Sequence, residues 1–412
     1  MLKNVIVVCD YAYVEGGAAK VAIQTALALS RETNLNVYFF AGCGDICDEL
    51  RKSKVNAISL GMPDLLGNPN KLDAIRKGIY NRQAGVALKK LLFTLEISET
   101  VVHVHTWTKV LSSSIFKVCN ELKVRTFLTV HDYFLVCPNG ACYNYVTKEI
   151  CKLKPMSLKC LTCNCDARSY PQKIWRCLRQ FRQNKVIAGF NQLNYITISK
   201  FQEKQLCTRN EKLGNVYLVK NIIDIGIDKF VCHPEENELF VFVGRVTKEK
   251  GTDLFCEAIT IAGVKGMVVG DGPLKEELHR KYPNILFVGW KTKKEIDEIL
   301  KSTRALIFSS VWYEGSPLTI PEVQAHGIPC IVTNCNSGID DIVQGENGEI
   351  VSANVDEMAA AINRFKNDDY VQRLSRNTCQ MFDENRGSEK WYVDNLLKIY
   401  VEIERRRQFT YV

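Results

Sequence analysis

Two carboxylates, Glu314 and Glu322, stand eight residues apart between the apolar runs 305–308 and 330–333. The two runs predict buried parallel strands, and the segment between them predicts a loop and a short helix. A helix start at the carboxyl ends of parallel strands attracts anions, because free N–H groups and the helix dipole point at them. Acids placed beside an anion site suit hydroxyl groups rather than phosphate. A sugar nucleotide offers both kinds of group.

The short helix carries its own boundary signals. We expect Ser316 to cap it, Pro317 to fill its first position and Gly327 to end it. Pro321 fits a helix interior poorly, so the helix proper is expected to start later than these signals indicate.

Two cations follow another predicted strand, Leu239–Val243. Arg245 comes directly after Gly244, and Lys250 follows five residues later, immediately before Gly251. An arginine binds phosphate in a fork and a lysine acts as a point charge, so this edge of the sheet suits a diphosphate.

A glycine pair, Gly16 and Gly17, lies between the first predicted strand, Val5–Asp10, and a predicted helix over 18–30. Glycine lets backbone amides approach a phosphate or a sugar closely. The loop lacks the G-x-G-x-x-G spacing of dinucleotide-binding proteins, which argues against a nicotinamide enzyme.

His131 and Asp132 follow the predicted strand Thr126–Val130. A histidine here can donate to a hydroxyl or an oxyanion at neutral pH without a strongly perturbed pKa. His103 and His105 share one side of a neighbouring strand, where a structural or substrate-edge position is favoured over a metal site.

Seven of the 17 cysteines lie between residues 137 and 177. Clustered thiolates suit Zn²⁺, and two alternatives stay open: a structural metal, or reduced packing cysteines. Cys160 and Cys163 form the best ligand pair, and Cys165, Cys151, Cys142 and Cys137 compete for the other positions. The predicted set is Cys151, Cys160, Cys163 and Cys165.

The segment 170–190 predicts a basic amphipathic helix, with Ile174, Trp175, Leu178 and Phe181 on one face. Such a helix either lies on an anionic membrane or is an ordinary domain helix whose basic face is solvated.

Length and composition agree with a two-domain protein. The chain has 412 residues, is 46% hydrophobic and carries a formal net charge of +8. That charge suits anionic partners such as nucleotides, phospholipid head groups or polyprenyl phosphates. No apolar run is long enough to span a bilayer, and the start resembles a strand rather than a secretion signal.

Strand and helix patterns alternate along the chain, which predicts an α/β fold with doubly wound parallel sheets. One helix is expected over 72–96 and another over 109–122. The linker between two domains is expected at residues 222–224.

Four of these motifs together resemble the retaining GT-B glycosyltransferases of family 4, the glycosyl transferases group 1. Glu314 and Glu322 match the E-x7-E signature of that family, and Gly16-Gly17, His131-Asp132 and Arg245…Lys250 match its other motifs in order. The resemblance covers nearly the whole chain.

The resemblance implies a GT-B architecture of two Rossmann-like parallel-sheet domains facing a cleft. The implied acceptor-side domain covers 1–220 with a Cys-rich insertion at about 136–170, and the nucleotide-sugar-binding domain covers 221–388. A C-terminal helix, 389–412, crosses back onto the first domain.

The resemblance also assigns site residues. Implied catalytic residues are His131, Glu314, Arg245 and Lys250. The implied donor-binding residues are Gly16, Gly17, Arg245, Lys250, Glu314, Gly315, Ser316, Pro317, Leu318 and Glu322. In the family the first Glu contacts the transferred sugar, the second contacts the ribose, and the two cations neutralise the diphosphate as it leaves.

The implied activity is that of a retaining hexosyltransferase. It moves a sugar from a nucleoside-diphosphate sugar to an acceptor hydroxyl, in the synthesis of a surface polysaccharide or a lipid-linked oligosaccharide. The alternatives are a non-catalytic GT-B scaffolding subunit and a GT-B epimerase or phosphorylase.

We expect no metal cofactor for catalysis, because no Asp-x-Asp motif is evident. Expected partners are the nucleotide sugar and a saccharide or lipid-linked saccharide acceptor, with no nucleic acid. The expected location is the cytoplasm, with peripheral contact at the inner face of an anionic membrane.

Overall fold

The computed structural model describes residues 1–211, 213–223, 231–386 and 388–408. Ile222 and Ile223 of the predicted linker are described, and Asp224 lies outside the described residues. The end of the predicted C-terminal segment, 409–412, also lies outside them.

The first sheet contains seven parallel strands in the order β3-β2-β1-β4-β5-β8-β9. Its strands are β1 Asn4–Tyr11, β2 Asn36–Cys43, β3 Asn56–Ser59, β4 Thr100–Val104, β5 Arg125–Thr129, β8 Leu193–Thr197 and β9 Val216–Leu218. A separate antiparallel hairpin pairs β6 Tyr143–Asn144 with β7 Glu149–Ile150. The sheet is buried on both faces, so β1 is apolar at consecutive positions rather than alternating.

The second sheet contains six parallel strands in the order β12-β11-β10-β13-β14-β15. Its strands are β10 Leu239–Val243, β11 Lys265–Val269, β12 Leu286–Gly289, β13 Thr303–Phe308, β14 Cys330–Thr333 and β15 Gly348–Val351. Separate apolar clusters fill the two faces of this sheet as well. The two parallel sheets confirm the predicted α/β class.

Helices join the strands and cover both sheets. Those of the first half are α1 Gly17–Glu32, α2 Asp48–Arg51, α3 Lys71–Ile79, α4 Arg82–Leu92, α5 Ser114–Glu121, α6 Leu158–Thr162, α7 Tyr170–Ile187 and α8 Lys200–Arg209. Those of the second half are α9 Thr252–Ala262, α10 Lys275–Lys281, α11 Lys293–Leu300, α12 Thr319–Gln324, α13 Val355–Arg364, α14 Asp368–Arg386 and α15 Glu389–Gln408.

The C-terminal helix α15 crosses back onto the first sheet, as predicted. The hydroxyl of Tyr392 lies 2.8 Å from that of Thr25 on α1, and the hydroxyl of Tyr400 lies 2.6 Å from Nδ1 of His103 on β4. Tyr400 is fully buried in the core of the first sheet. These contacts join residues that are 367 and 297 positions apart in the chain.

Two helix predictions were wrong in extent. The single helix expected over 72–96 is divided into α3 and α4, because Asn81 caps α4 and also donates to the carbonyl of Val110. The helix expected from residue 109 starts instead at Ser114. The buried carboxylate of Asp10 accepts hydrogen bonds from the N–H groups of residues 109–111, which holds that segment as a loop.

Candidate functional site

Glu314 lies in the loop after β13 with one of its oxygens fully engaged. Its Oε1 accepts hydrogen bonds from Lys250 Nζ at 2.7 Å, Ser310 Oγ at 2.7 Å and Trp312 Nε1 at 2.6 Å. No donor among the described residues reaches Oε2. The carboxylate is therefore held rigidly, with its second oxygen free to accept from a ligand hydroxyl.

The charge state of Glu314 follows from these contacts. Burial raises the pKa of its carboxyl, but the charge and hydrogen bond of Lys250, with the hydroxyl of Ser310 and the indole of Trp312, outweigh burial. The net pKa lies below the ordinary value, so Glu314 is ionised at neutral pH.

A left-handed glycine fixes the position of Lys250. Gly251 has φ +67°, and a Cβ atom there would lie 1.9 Å from the carbonyl oxygen of Ser309. Only glycine allows this close passage between the loop after β10 and the end of β13. The Lys-Gly pair found in the sequence thus places the ammonium beside Glu314.

Arg245 lies at the same sheet edge with its guanidinium largely in solvent. Its side chain is 62% exposed, and its nearest acid is Glu249 at 3.6 Å. Thr247, two residues further, has a buried hydroxyl without a hydrogen-bond partner among the described residues. This edge therefore offers a solvent-exposed fork of donors to a ligand, beside a buried hydroxyl that lacks a partner among the described residues.

Glu322 is the second carboxylate of the spaced pair, and it contacts the first sheet's helix α1. Its Oε1 accepts from Lys20 Nζ at 2.8 Å. Gly17 packs against the same segment, since a Cβ atom on it would lie 3.6 Å from the Leu318 side chain. The Gly16-Gly17 loop, with Gly16 at φ +83°, thus faces the start of α12.

The start of α12 differs from the prediction. The helix begins at Thr319, and Leu318 stands at its N-cap position without a side-chain hydrogen bond. Ser316 therefore does not cap the helix and Pro317 does not occupy its first turn, so both expectations were wrong. The later start expected from Pro321 is confirmed. Gly327 follows the helix at φ +77°, as a terminating glycine does.

His131 meets the second half of the chain through its backbone. A Cβ atom on Gly315 would lie 2.5 Å from the carbonyl oxygen of His131, so the two loops touch where only glycine fits. The hydroxyl of Ser199 donates to the carbonyl of Gly315 at 2.7 Å, which adds a hydrogen bond between the same two halves of the chain. The structure thus brings His131 next to the Glu314 loop.

The imidazole of His131 is more perturbed than the sequence indicated. Its Nε2 lies 2.9 Å from Nδ1 of His105, and burial lowers the pKa of His131 to about 3. The expectation of a nearly unperturbed pKa was therefore wrong. The neutral ring of His131 uses Nε2 in its hydrogen bond with His105, which leaves Nδ1 available to a ligand.

His103 and His105 have no metal-like arrangement. His103 lies between the hydroxyls of Thr129, at 2.7 Å, and Tyr400, at 2.6 Å. His103 is a structural residue that joins the sheet to α15, and His105 is the hydrogen-bond partner of His131.

Sequence reasoning missed three contacts of the site: Trp312 and Ser310, which hold Glu314, and Lys20, which holds Glu322. Trp312 stands two residues before Glu314, so the sequence alone indicated that the two side chains could be close. Nothing local indicated Lys20, because its partner is 302 positions away.

The Cys-rich insertion packs against this site. The rings of Tyr143 and Tyr145 contact Trp312 at centroid distances of 6.3 and 6.4 Å. The four predicted metal ligands, Cys151, Cys160, Cys163 and Cys165, line one small cavity together with Cys137 and Cys142. Among the described residues, only His233, Glu235 and Glu236 place three ligand atoms within 4.8 Å of one another, so the cysteine sulfurs are not arranged as a closed metal site.

Helix α7 is turned the opposite way from an ordinary basic surface helix. Its side chains Ile174, Leu178 and Phe181 are 46%, 55% and 65% exposed, whereas Lys173 and Arg179 are buried. The expected alternative of a solvated basic face was therefore wrong for these two cations.

The buried side of α7 positions the loop that follows His131. Arg179 donates to the carbonyl of Pro138, while Gln180 and Gln183 donate to the carbonyls of residues 135 and 134. These bonds satisfy backbone groups that no strand or helix pairs, which explains why polar side chains face inward here.

A cavity of about 440 Å³ opens between α3 and α7. Its walls combine apolar side chains with the cations Lys71, Lys109, Arg168, Arg176 and Arg179. The ammonium of Lys109 and the guanidinium of Arg168 make no side-chain hydrogen bond or close ion pair among the described residues, although the charges of Asp10 and Asp132 act on Lys109. The cavity therefore suits an anionic ligand with an apolar part.

None of the helices in the described part of the chain has the length and the hydropathy of a membrane span.

The fold resembles that of solved structures that share one architecture. Sucrose-phosphate synthase of Thermosynechococcus elongatus superposes with a TM-score of 0.69 at 16% identity, covering 100% of both chains. HepE of Anabaena, crystallised with UDP, superposes with a TM-score of 0.65 at 12% identity, covering 98% of this chain and 100% of HepE. At these identities the likeness establishes the architecture, which is GT-B.

Sequence comparisons find similarity to glycosyltransferases over part of the chain. Residues 237–368 match the model of the family described as Glycosyl transferases group 1. An Escherichia coli UDP-Gal:alpha-D-GlcNAc-diphosphoundecaprenol alpha-1,3-galactosyltransferase is 30% identical over 181 residues, 40% of this chain and 46% of that protein. A Salmonella typhimurium lipopolysaccharide 1,6-galactosyltransferase is 26% identical over 187 residues, 41% of this chain and 51% of that protein. The chain thus matches about half the length of these curated relatives.

Proposed function

We propose that this protein transfers a sugar from a nucleoside-diphosphate sugar to an acceptor hydroxyl, with retention of the anomeric configuration. The observation that carries the proposal is the rigid Glu314 carboxylate, held by Lys250 with one oxygen free, directly beside the His131 loop. We assign residues 1–220 to the acceptor side and 221–388 to the donor side.

The donor binds at the edge of the second sheet. Arg245 and Lys250 contact the diphosphate, and Glu322 accepts from the ribose hydroxyls after exchanging its present partner, Lys20. Glu314 accepts from a hydroxyl of the transferred sugar through Oε2. The Gly16-Gly17 loop covers the diphosphate from the other side of the cleft. UDP in the crystallised HepE supports a nucleotide site on this architecture.

The placement of the carboxylates supports a same-face reaction for the proposed retention. Glu314 and Glu322 both belong to the donor-side loop and helix, so they do not flank the scissile bond as the two acids of a retaining hydrolase do. A leaving-diphosphate oxygen takes the proton of the acceptor hydroxyl on the face that the diphosphate leaves. The cations Arg245 and Lys250 stabilise the charge that develops on it. This chemistry needs no metal ion.

The acceptor is a saccharide carried on a lipid diphosphate, and it binds at the cavity between α3 and α7. The unpaired cations Lys109 and Arg168 suit the diphosphate, and the exposed apolar side chains of α7 suit the surface of a membrane. The name of the Escherichia coli relative includes a lipid diphosphate acceptor, which supports this choice. The protein then works at the cytoplasmic face of the membrane, in the synthesis of a surface polysaccharide or lipid-linked oligosaccharide.

Thermal unfolding with nucleotides tests the donor site. UDP or GDP is expected to raise the melting temperature of the wild type, because a ligand of the folded state stabilises it. Arg245→Ala is expected to abolish the rise, and Arg280→Ala, an exposed arginine on α10, is expected to keep it. No rise with either nucleotide would count against a donor site.

The transfer itself is tested with the nucleotide sugar that raises the melting temperature and with a synthetic lipid-diphosphate saccharide. The product linkage, determined by NMR, is expected to have the same anomeric configuration as the donor. Turnover is expected to persist in EDTA. An inverted product would overturn the proposed stereochemistry.

A further inference from the structure

The Cys-rich insertion encloses a cavity of about 20 Å³, which has room for a single atom-sized occupant. Its walls carry six cysteines and two cations. They are Cys137, Cys142, Cys151, Cys160, Cys163, Cys165, Lys173 and Arg209.

The two cations have sulfur partners and no acid. Lys173 is 1% exposed, and its Nζ lies 3.2 Å from Cys165 Sγ and 3.6 Å from Cys160 Sγ. Arg209 donates from Nε to Cys142 Sγ at 3.3 Å. Neither cation contacts a carboxylate among the described residues; the buried Asp166 pairs with Arg176 instead.

A buried ammonium without a counter-ion is strongly unfavourable, so the contacts of Lys173 favour thiolates over neutral thiols in this cavity. Four thiolates around one divalent cation carry a net charge of −2, which Lys173 and Arg209 balance.

The sulfurs also receive the N–H donors that metal-bound thiolates accept. Besides the two cations, Asn144 donates to Cys163 Sγ at 3.7 Å and Asn139 donates to Cys165 Sγ at 3.5 Å. Such bonds from surrounding residues orient ligands and stabilise their charge. Four of the six cavity sulfurs have a donor of this kind.

We propose that four of the six cavity cysteines bind one Zn²⁺, with Lys173 and Arg209 as its charge-balancing partners. The ion fixes the insertion, and through Tyr143 and Tyr145 it fixes the position of Trp312. Ligation requires cysteine side chains to rotate inward, and a change of one χ1 rotamer moves a sulfur by about 3 Å. Thiolates and a closed tetrahedral geometry favour zinc as a structural ion.

Metal analysis of the purified full-length protein tests the proposal without any activity measurement. Mass spectrometry of the elements is expected to find about one zinc per chain. Titration with a mercurial reagent is expected to release that zinc to a chromogenic chelator as four thiols react. A folded wild type without zinc would overturn the proposal, as would iron and sulfide in its place.

Single serine substitutions identify the ligands. Four of the six cavity variants are expected to lose zinc, whereas Cys207→Ser, at an exposed position on α8, is expected to retain it. Zinc retained in all six variants would overturn the site.

Lys173 tests the charge balance. Lys173→Met is expected to lose zinc to a chelator at least tenfold faster than the wild type, and Lys173→Arg is expected to restore slow release. Equal release rates in all three proteins would remove Lys173 from the proposal.

Discussion

The ammonium of Lys250 lies 2.7 Å from Oε1 of Glu314, so the two proposed catalytic groups neutralise one another in the ligand-free protein. An arriving diphosphate competes with the carboxylate for this ammonium. Ser310 and Trp312 bind the same oxygen, and therefore Glu314 stays in place when Lys250 turns to the phosphate. The pair holds the carboxylate ionised before the donor arrives.

Removing the charge of Glu314 is expected to separate binding from transfer. Glu314→Gln frees the ammonium of Lys250, so UDP or GDP binding, measured by calorimetry, is expected to stay equal or become tighter. The transfer rate is expected to fall by about 10²-fold, since a charge held ready for the transition state is lost. Glu346→Gln, at an exposed turn, is the control. Transfer at the wild-type rate would exclude Glu314 from the chemistry.

A methyl group on Gly315 is expected to disturb the contact between the two halves. The new Cβ would lie 2.5 Å from the carbonyl oxygen of His131, which is a backbone atom and cannot turn away as a flexible side chain could. We expect Gly315→Ala to destabilise the fold by about 1–3 kcal/mol and to lower the transfer rate. Gly189→Ala, where nothing lies within 4 Å of the added Cβ, is the matched control in thermal unfolding. Equal melting temperatures would mean that the loops separate freely.

Asp132 is expected to make stability fall as pH rises. Burial raises the pKa of its carboxyl to about 6, against the lowering effects of the Phe134 N–H, Arg179 and Lys109. The folded protein thus binds a proton more tightly than the unfolded chain, whose value is 3.8. The contribution of Asp132 to the free energy of unfolding is fully present below pH 3.8 and is lost as the pH rises through about 6.

Asp132→Asn keeps the oxygen that accepts from Phe134 and removes the titration. We expect the variant to be more stable than the wild type at pH 7 by about 1–3 kcal/mol, and equal to it near pH 3.5. Melting temperatures from about pH 3.5 to 7 measure the difference. Parallel pH profiles for both proteins would contradict the assignment.

The hydroxyl of Tyr400 is expected to anchor the C-terminal helix. Tyr400→Phe leaves Nδ1 of the buried His103 without its partner, which costs about 1–2 kcal/mol. Scanning calorimetry measures the loss. Tyr195→Phe is the control, because the hydroxyl of Tyr195 has no hydrogen-bond partner in the described part of the chain. Equal losses in both variants would indicate that packing, not this bond, holds the helix.

The apolar side of α7 is expected to bind anionic membranes. We expect the protein to sediment with phosphatidylglycerol vesicles at low salt, and less at high salt, because charge and apolar burial both contribute. The triple variant Ile174→Ser, Leu178→Ser, Phe181→Ser is expected to stay in the supernatant. Ile261→Ser, which removes an exposed apolar side chain on α9, is the control. Failure of the wild type to sediment would exclude the membrane surface.

The strand that precedes Arg245 was predicted correctly, because strand signals are local. An apolar run predicts burial, and Gly251, the glycine after Lys250, adopts the left-handed conformation that its neighbours require. The wrong helix boundaries lie where the local sequence signal does not decide the structure, in one case because a distant side chain binds the backbone. Ser316 does not cap α12, and the segment that starts at Lys109 is a loop because Asp10 binds its backbone.

The order of apolar runs and turns thus specified two parallel sheets and the motifs at their edges, since hydrophobic periodicity is a property of neighbouring residues. The pairing of charges depended on tertiary structure. Lys250 meets Glu314 64 positions away, Lys20 meets Glu322 302 positions away, and α7 turns its polar side inward to a loop 45 positions away. Such contacts are decided by packing, because the cost of burying a charge or a carbonyl depends on what the folded chain brings beside it.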